Sequence, residues 1–153
     1  GATWHRGQLA DPYSERGLNP VSSLFGWQFE QSVASAPDES LAVIFEQLPL
    51  VGGLDQGFVS PSLSLLVGVR SSAGFELAVG TTLVGPTYYV DQKVWLSDDL
   101  IKSAHVTIAG GWTVEAGRIN FPINLAWSPS RDPMNRGSWT TLSVGMNWSA
   151  MGD

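Results

Sequence analysis

Residues 105–132 read HVTIAGGWTVEAGRINFPINLAWSPSRD, and two runs of period two lie back to back in them. In the first, Val106, Ile108, Trp112 and Val114 alternate with Thr107, Ala109, Thr113 and Glu115. Ala116-Gly117-Arg118 then supplies a hairpin-type turn. Beyond it Ile119, Phe121, Ile123, Leu125 and Trp127 oppose Asn120, Pro122, Asn124, Ala126 and Ser128. Successive side chains of a strand point to opposite faces, so this stretch predicts a β-hairpin with one bulky apolar face and one small polar face. Pro122, inside a strand, predicts a bulge or an unpaired N–H at that point.

The same alternation extends in both directions. Towards the N-terminus, Phe75, Leu77 and Val79 oppose Glu76, Ala78 and Gly80, across a Ser71-Ser72-Ala73-Gly74 turn from Leu63, Leu65, Val67 and Val69. Leu41 to Val51 is apolar on both faces apart from Glu46 and Gln47, and Phe25, Trp27 and Phe29 share a face opposite Gln28 and Glu30. A weaker run covers residues 88–96, followed by the break Ser97-Asp98-Asp99 and a helical turn expected over 98–103. Towards the C-terminus, Leu142, Val144, Met146 and Trp148 oppose Ser143, Gly145 and Asn147. About eight strands joined by short connections predict an all-β chain, an antiparallel up-and-down meander closed into a β-barrel. The barrel is expected over 23–150. Residues 1–22 are polar, carry two prolines and show neither period, and are read as an extended N-terminal arm, a candidate docking segment for an envelope protein partner.

Composition narrows the function. The 153 residues include no Cys, which excludes thiolate metal sites, disulfides and a cysteine nucleophile. A formal charge of −6 argues against a nucleic-acid-binding surface. No apolar run is long enough for a spanning helix, and no charged and apolar leader is visible. The charged fraction is only 14%, and the polar faces of the strands are built largely from Gly, Ala, Ser, Thr and Asn rather than from Lys and Glu.

That last feature sets the direction in which the barrel faces. A strand face in water ordinarily carries long charged side chains. A narrow interior instead selects small residues with a few charges paired across it, while the bulky face meets lipid. The expected sense is therefore transmembrane. Glu30, Glu46, Arg70, Glu76 and Glu115 fall on the small face and are read as a lumen ion-pair cluster. Trp27, Trp112, Trp127 and Trp148 fall on the bulky face and are read as membrane-interface aromatics. The interior is expected to be filled by its own side chains.

The stretches GFELAVGTTLVG, HVTIAGGWTVEAGRINFPINLAWSPSRD and GSWTTLSVGMNW resemble the closing hairpins of small bacterial outer-membrane β-barrel proteins of the eight-stranded type. The resemblance implies residence in a Gram-negative outer membrane among its lipids, a removed signal peptide and insertion by the barrel-assembly machinery.

For chemistry the sequence offers little. His5 and His105 are too few for an ordinary zinc site, and neither a metal nor another cofactor is expected. Ser103, His105 and Glu115 are the best local candidates for a lipid hydrolase, but Glu115 lies ten residues from His105, too far along one strand for contact. The expected function is thus a non-enzymatic, structural or assembly role in the cell envelope, with homo-oligomerisation through an aromatic face. Two alternatives are a soluble lipocalin- or avidin-like barrel binding a small hydrophobic ligand and an outer-membrane lipid-modifying enzyme.

Overall fold

A computed structural model of the chain describes residues 1–7, 14–15, 17–91, 93–95, 100–101, 103–116, 119–129 and 137–148. Its strands are β1 (Ala2–Gly7), β2 (Val21–Gly26), β3 (Phe29–Ser35), β4 (Leu41–Gly52), β5 (Phe58–Ser71), β6 (Phe75–Val84), β7 (Tyr88–Tyr89), β8 (Val94–Trp95), β9 (Ser103–Ala116), β10 (Ile119–Pro129), β11 (Gly137–Val144) and β12 (Asn147–Trp148). A short 3-10 turn, Leu54–Gln56, separates β4 from β5. All the pairings are antiparallel, as tight connections between consecutive strands require. The turn after β5 shows how: Gly74, at φ +83°, donates its N–H to Ser71 O at 2.9 Å in a conformation that disfavours any side chain.

The ladders close on themselves. β4 pairs with β5, β5 with β6, β6 with β9, β9 with β10, β10 with β11, β11 with β1, β1 with β2, and β2 with β4 again. β3 continues β2 along the same edge of β4, and β12 continues β11 along β10. Both interruptions sit opposite a proline. Trp27 and Gln28 face Leu48 and Pro49, and Gly145 and Met146 face Phe121 and Pro122. In each case the proline carbonyl accepts one bond, from Trp27 N at 3.1 Å or Gly145 N at 2.9 Å. Neither proline has an N–H to return, so the partner strand breaks there.

Two expectations are corrected here. The arm read over 1–22 is no arm at its ends, because Ala2–Gly7 is the strand that joins β2 to β11 and Val21–Gly26 is β2. The period-two test missed β1 because ATWHRG mixes polar and aromatic groups on both faces. Conversely, the strand expected over 88–96 is not part of the ring: β7 and β8 are two-residue strands, with β7 paired to Phe58 and Val59 at the end of β5. The helical turn expected over 98–103 lies largely outside the described residues.

The connections sort by end. On one side of the ring lie the strand ends that border 36–40, 72–74 and 117–118; on the other lie those that border 8–20, 53–57, 85–102 and 130–136. Residues 1 and 148 belong to the short-link side. These are the turn end and the loop end below.

Little apolar material is enclosed. Among the described residues the buried apolar side chains are Ile44, Phe58, Leu66, Ala78 and Ala109, while Leu77, Val79, Leu125, Val144 and Met146 are each more than half exposed. Thr3, Ser22, Ser64, Thr82, Thr107 and Ser128 are buried instead. Bulky side chains therefore mostly point away from the ring and hydroxyls towards its middle, with exceptions on β2, β4 and β5: Leu24, Ile44, Leu48, Leu50, Phe58 and Leu66 point inwards there.

Candidate functional site

The ring encloses a cavity of about 480 Å³. The expectation of a filled interior gives way to this space. Gly52, Ala109, Ala126 and a series of serines line it, and side chains of that size cannot meet across the ring. Its wall has two characters. Leu24, Leu48 and Leu50 give an apolar side, whereas Ser64, Thr82 and Thr107 give a hydroxyl side.

The hydroxyl side is a connected chain across four adjacent strands. Ser64 Oγ meets Thr82 Oγ1 at 2.7 Å, Thr82 meets Thr107 at 2.7 Å, and Thr107 meets Ser128 at 2.7 Å. Ser64 and Thr82 are direct cross-strand partners, so inward-facing hydroxyls on neighbouring strands come into bonding reach without further design. Thr3 and Thr141 repeat the contact between β1 and β11 at 2.9 Å. Each such bond contributes a net of about 0.5–1.5 kcal/mol and, more importantly, spares a buried hydroxyl from going unpaired.

Towards the turn end the cavity stops at Glu46, Glu76 and Asn124. Behind them is a charged cluster. Arg70 donates from Nε to Glu76 Oε2 at 3.0 Å and from Nη2 to the same oxygen at 2.5 Å. Its Nη1 donates to Glu30 Oε1 at 2.5 Å, and Nη2 also reaches Glu30 Oε2. Arg70 thus bridges β3 and β6 with both edges of its guanidinium. Glu46, only 2% exposed, accepts from the Gln28 side-chain amide, and Asn124 Nδ2 donates to Gln28 Oε1 at 3.4 Å. Oxygens of Glu30, Glu46 and Glu76 lie within 4.8 Å of one another, and this trio is the set that would hold a cation.

Of the five charged residues singled out in the sequence, Glu30, Glu46, Arg70 and Glu76 meet here. Glu115 sits near the turn end of β9, opposite Asn120, and its side chain lies outside the described ones. Sequence reasoning missed Gln28 and Asn124 as members. Their position on the small face, in phase with Glu30 and Ala126, was the available signal. The aromatics Trp27, Trp112 and Trp127 are 71%, 51% and 46% exposed on the outside of the ring, with Trp112 stacked on Phe75 at 5.3 Å. The side chain of Trp148 lies outside the described ones.

At the loop end the cavity wall carries Ser103, His105, His5 and Trp139. His105 Nε2 and Ser103 Oγ are 2.8 Å apart, and the His105 ring packs edge-on against Trp139 at 4.3 Å. The pair follows from i, i+2 spacing on one strand face. Among the described residues His105 Nδ1 is buried with no hydrogen-bond partner, and none of their carboxylates orients the imidazole as a nucleophile–base–acid arrangement requires. Glu115 lies at the opposite end of β9.

Outside the ring, two carboxylates brace connections. Asp55, in the 3-10 turn, accepts from Ser23 N at 2.9 Å and Ser23 Oγ at 2.5 Å. Asp38, in the 36–40 link, accepts from Ser40 Oγ at 2.8 Å. The serine hydroxyl in each case holds the carboxyl below its usual range. Comparison with protein-family models, with curated proteins and with solved structures finds no match to the chain.

Proposed function

We propose that this protein is a transmembrane β-barrel of the bacterial outer-membrane type, with a non-enzymatic, structural or assembly role in the envelope. The observation that carries the reading is the inverted distribution of side chains. Val67, Val69, Leu77, Val79, Ile108 and Leu125, from four consecutive strands of the ring, are all exposed, while the buried positions beside them hold Leu66, Gly68, Ala78, Thr107 and Ala109, of which Leu66 alone is bulky. Water-soluble monomers rarely expose a contiguous apolar patch beyond a few hundred Å², and this belt continues from strand to strand. In lipid the same belt is the favourable surface, and closing the ladder through β1 removes the open edges that β2 and β11 would otherwise present there.

Three further features agree. β4, β5, β9 and β10 have 12, 14, 14 and 11 residues, enough for a tilted crossing of a hydrocarbon layer, which takes about 9–11. The longest links, 8–20 and 85–102, share one side while the other has none above five residues, and short links are usual on the periplasmic side of such barrels. The charged cluster across the turn end favours a blocked interior over a through-channel. The exposed belt disfavours a soluble lipocalin-like barrel. The unoriented His105 disfavours lipid hydrolysis by Ser103.

Fractionation of cells secreting the chain tests this. The protein is expected in outer membranes, released only by detergent, with a gel mobility that changes on heating. A monodisperse protein in buffer without detergent would overturn the reading.

A further inference from the structure

We infer that the interior cavity is a binding site for a compact organic ammonium, a primary amine on an apolar skeleton, seated with its charged end towards Glu46 and Glu76. Three independent features of the cavity converge on that chemistry. The first is size: about 480 Å³ falls in the range of roughly 300–1,000 Å³ that holds small organic ligands.

The second is the hydrogen-bonding balance of the hydroxyl wall. A hydroxyl has one donor and two lone pairs. Joined in a chain, as Ser64, Thr82, Thr107 and Ser128 are, hydroxyls use nearly all their donors on one another and keep most of their lone pairs. The wall therefore presents acceptors, and its best partner is a ligand that brings donors and no acceptors. An ammonium is such a group.

The third is charge. Both edges of Arg70 are engaged, one on Glu30 and one on Glu76. Among the described residues Glu46 makes no salt bridge; its carboxyl accepts from the neutral Gln28 amide and hydrogen-bonds to the carboxyl of Glu76. Glu46 and Glu76 face the cavity, while Glu30 and Arg70 lie behind them. A ligand cation entering from the loop end thus meets carboxylate before it meets guanidinium. Leu24, Leu48 and Leu50 on the other wall are left for the apolar skeleton. An inorganic cation would satisfy the carboxylates and leave those leucines without a role.

The site depends on the ring of strands and goes beyond the membrane reading. The test is calorimetric titration of the full chain, folded in detergent micelles, with 1-aminoadamantane, 1-adamantanol and adamantane-1-carboxylate, each measured against empty micelles. The amine is expected to bind at least about tenfold more tightly than the alcohol, and the carboxylate not measurably. Glu46→Gln is expected to weaken the amine by about tenfold while leaving the alcohol within about twofold. Glu30→Gln, on the far side of the cluster, leaves the amine within about threefold. Ser64→Phe, which fills the cavity, abolishes binding of both. Equal affinity for amine and alcohol would overturn the assignment, as would binding that survives Ser64→Phe. Should Glu46→Gln fail to fold, the ligand series on the native chain and Ser64→Phe still decide. Should the protein prove soluble, the same titration runs in plain buffer, so failure of the membrane reading and failure of the site are separate results.

Discussion

Arg70 is the residue on which most of the interior charge depends. It is one guanidinium among three carboxyls, with about a quarter of its side chain exposed. Replacing it with Met leaves Glu30 and Glu76 facing each other without a cation. Removing one partner of a buried pair commonly costs about 3–5 kcal/mol, and partial exposure lowers the expectation to about 2–4 kcal/mol. Urea unfolding at neutral pH measures it, and adding Glu30→Gln and Glu76→Gln to Arg70→Met should recover part of the loss. Asp55 makes a different kind of prediction. Its folded-state carboxyl is held low by Ser23, so its stabilisation is present above the ordinary carboxylate value near 3.8 and is lost as pH falls through the lower folded value. The 53–57 link should therefore keep its amide protection at pH 5 and lose it in strong acid. Asp55→Asn should remove that acid step, as hydrogen exchange of the Ser23 amide would report. Close backbone approach matters where β5 meets β6: a Cβ added at Gly68 would lie 2.8 Å from both Ala78 Cβ and Leu77 O, and one added at Gly80 closer still to Leu65 O.

Elements rather than residues explain how the ring closes. β1 is only six residues long, yet it bonds β11 over all six and β2 over three. Without it β2 and β11 would present open edges, the arrangement that templates aggregation in water and that lipid does not tolerate. Deletion of residues 1–7 is expected to abolish the heat-modifiable folded form, seen as loss of the fast-migrating band, whereas cleavage within 8–20 should leave it intact. A folded, heat-modifiable product of the deletion would mean that β2 and β11 pair directly. The prolines act at this scale too. Pro49 and Pro122 each keep one ladder and interrupt the other, which allows Gln28 to turn inwards on Glu46.

For the molecule as a whole, the exposed belt separates the two solvents. In a bilayer, Val79→Arg places a charge on the lipid face near the middle of β6, and such substitutions cost about 2–4 kcal/mol at the midplane. In water the same change at a half-exposed position would cost little, within about 0.5 kcal/mol. Unfolding in lipid vesicles, compared with an arginine placed at the loop end of the same strand, reads the depth dependence directly. A cost near zero at both positions would count against lipid contact.

The alternation from Leu41 onwards was sufficient to read six long strands, their antiparallel order and the two-faced character of each, because a strand's period of two is a local property of the chain. Together with the Phe25-Trp27-Phe29 run it was also sufficient to place Glu30, Glu46, Arg70 and Glu76 on one face. It did not reveal β1, whose six residues lack the pattern, and it promoted 88–96 to a strand the ring does not use. The place of β1 depends on pairing between residues more than a hundred positions apart, such as Ala2 with Leu142, and that of 88–96 on β6 pairing directly with β9; no local period records either. The interior cavity was likewise undecided in the sequence. Whether small side chains fill a space or merely line it depends on the distance between opposite walls, and that distance is set by how many strands close and with what register.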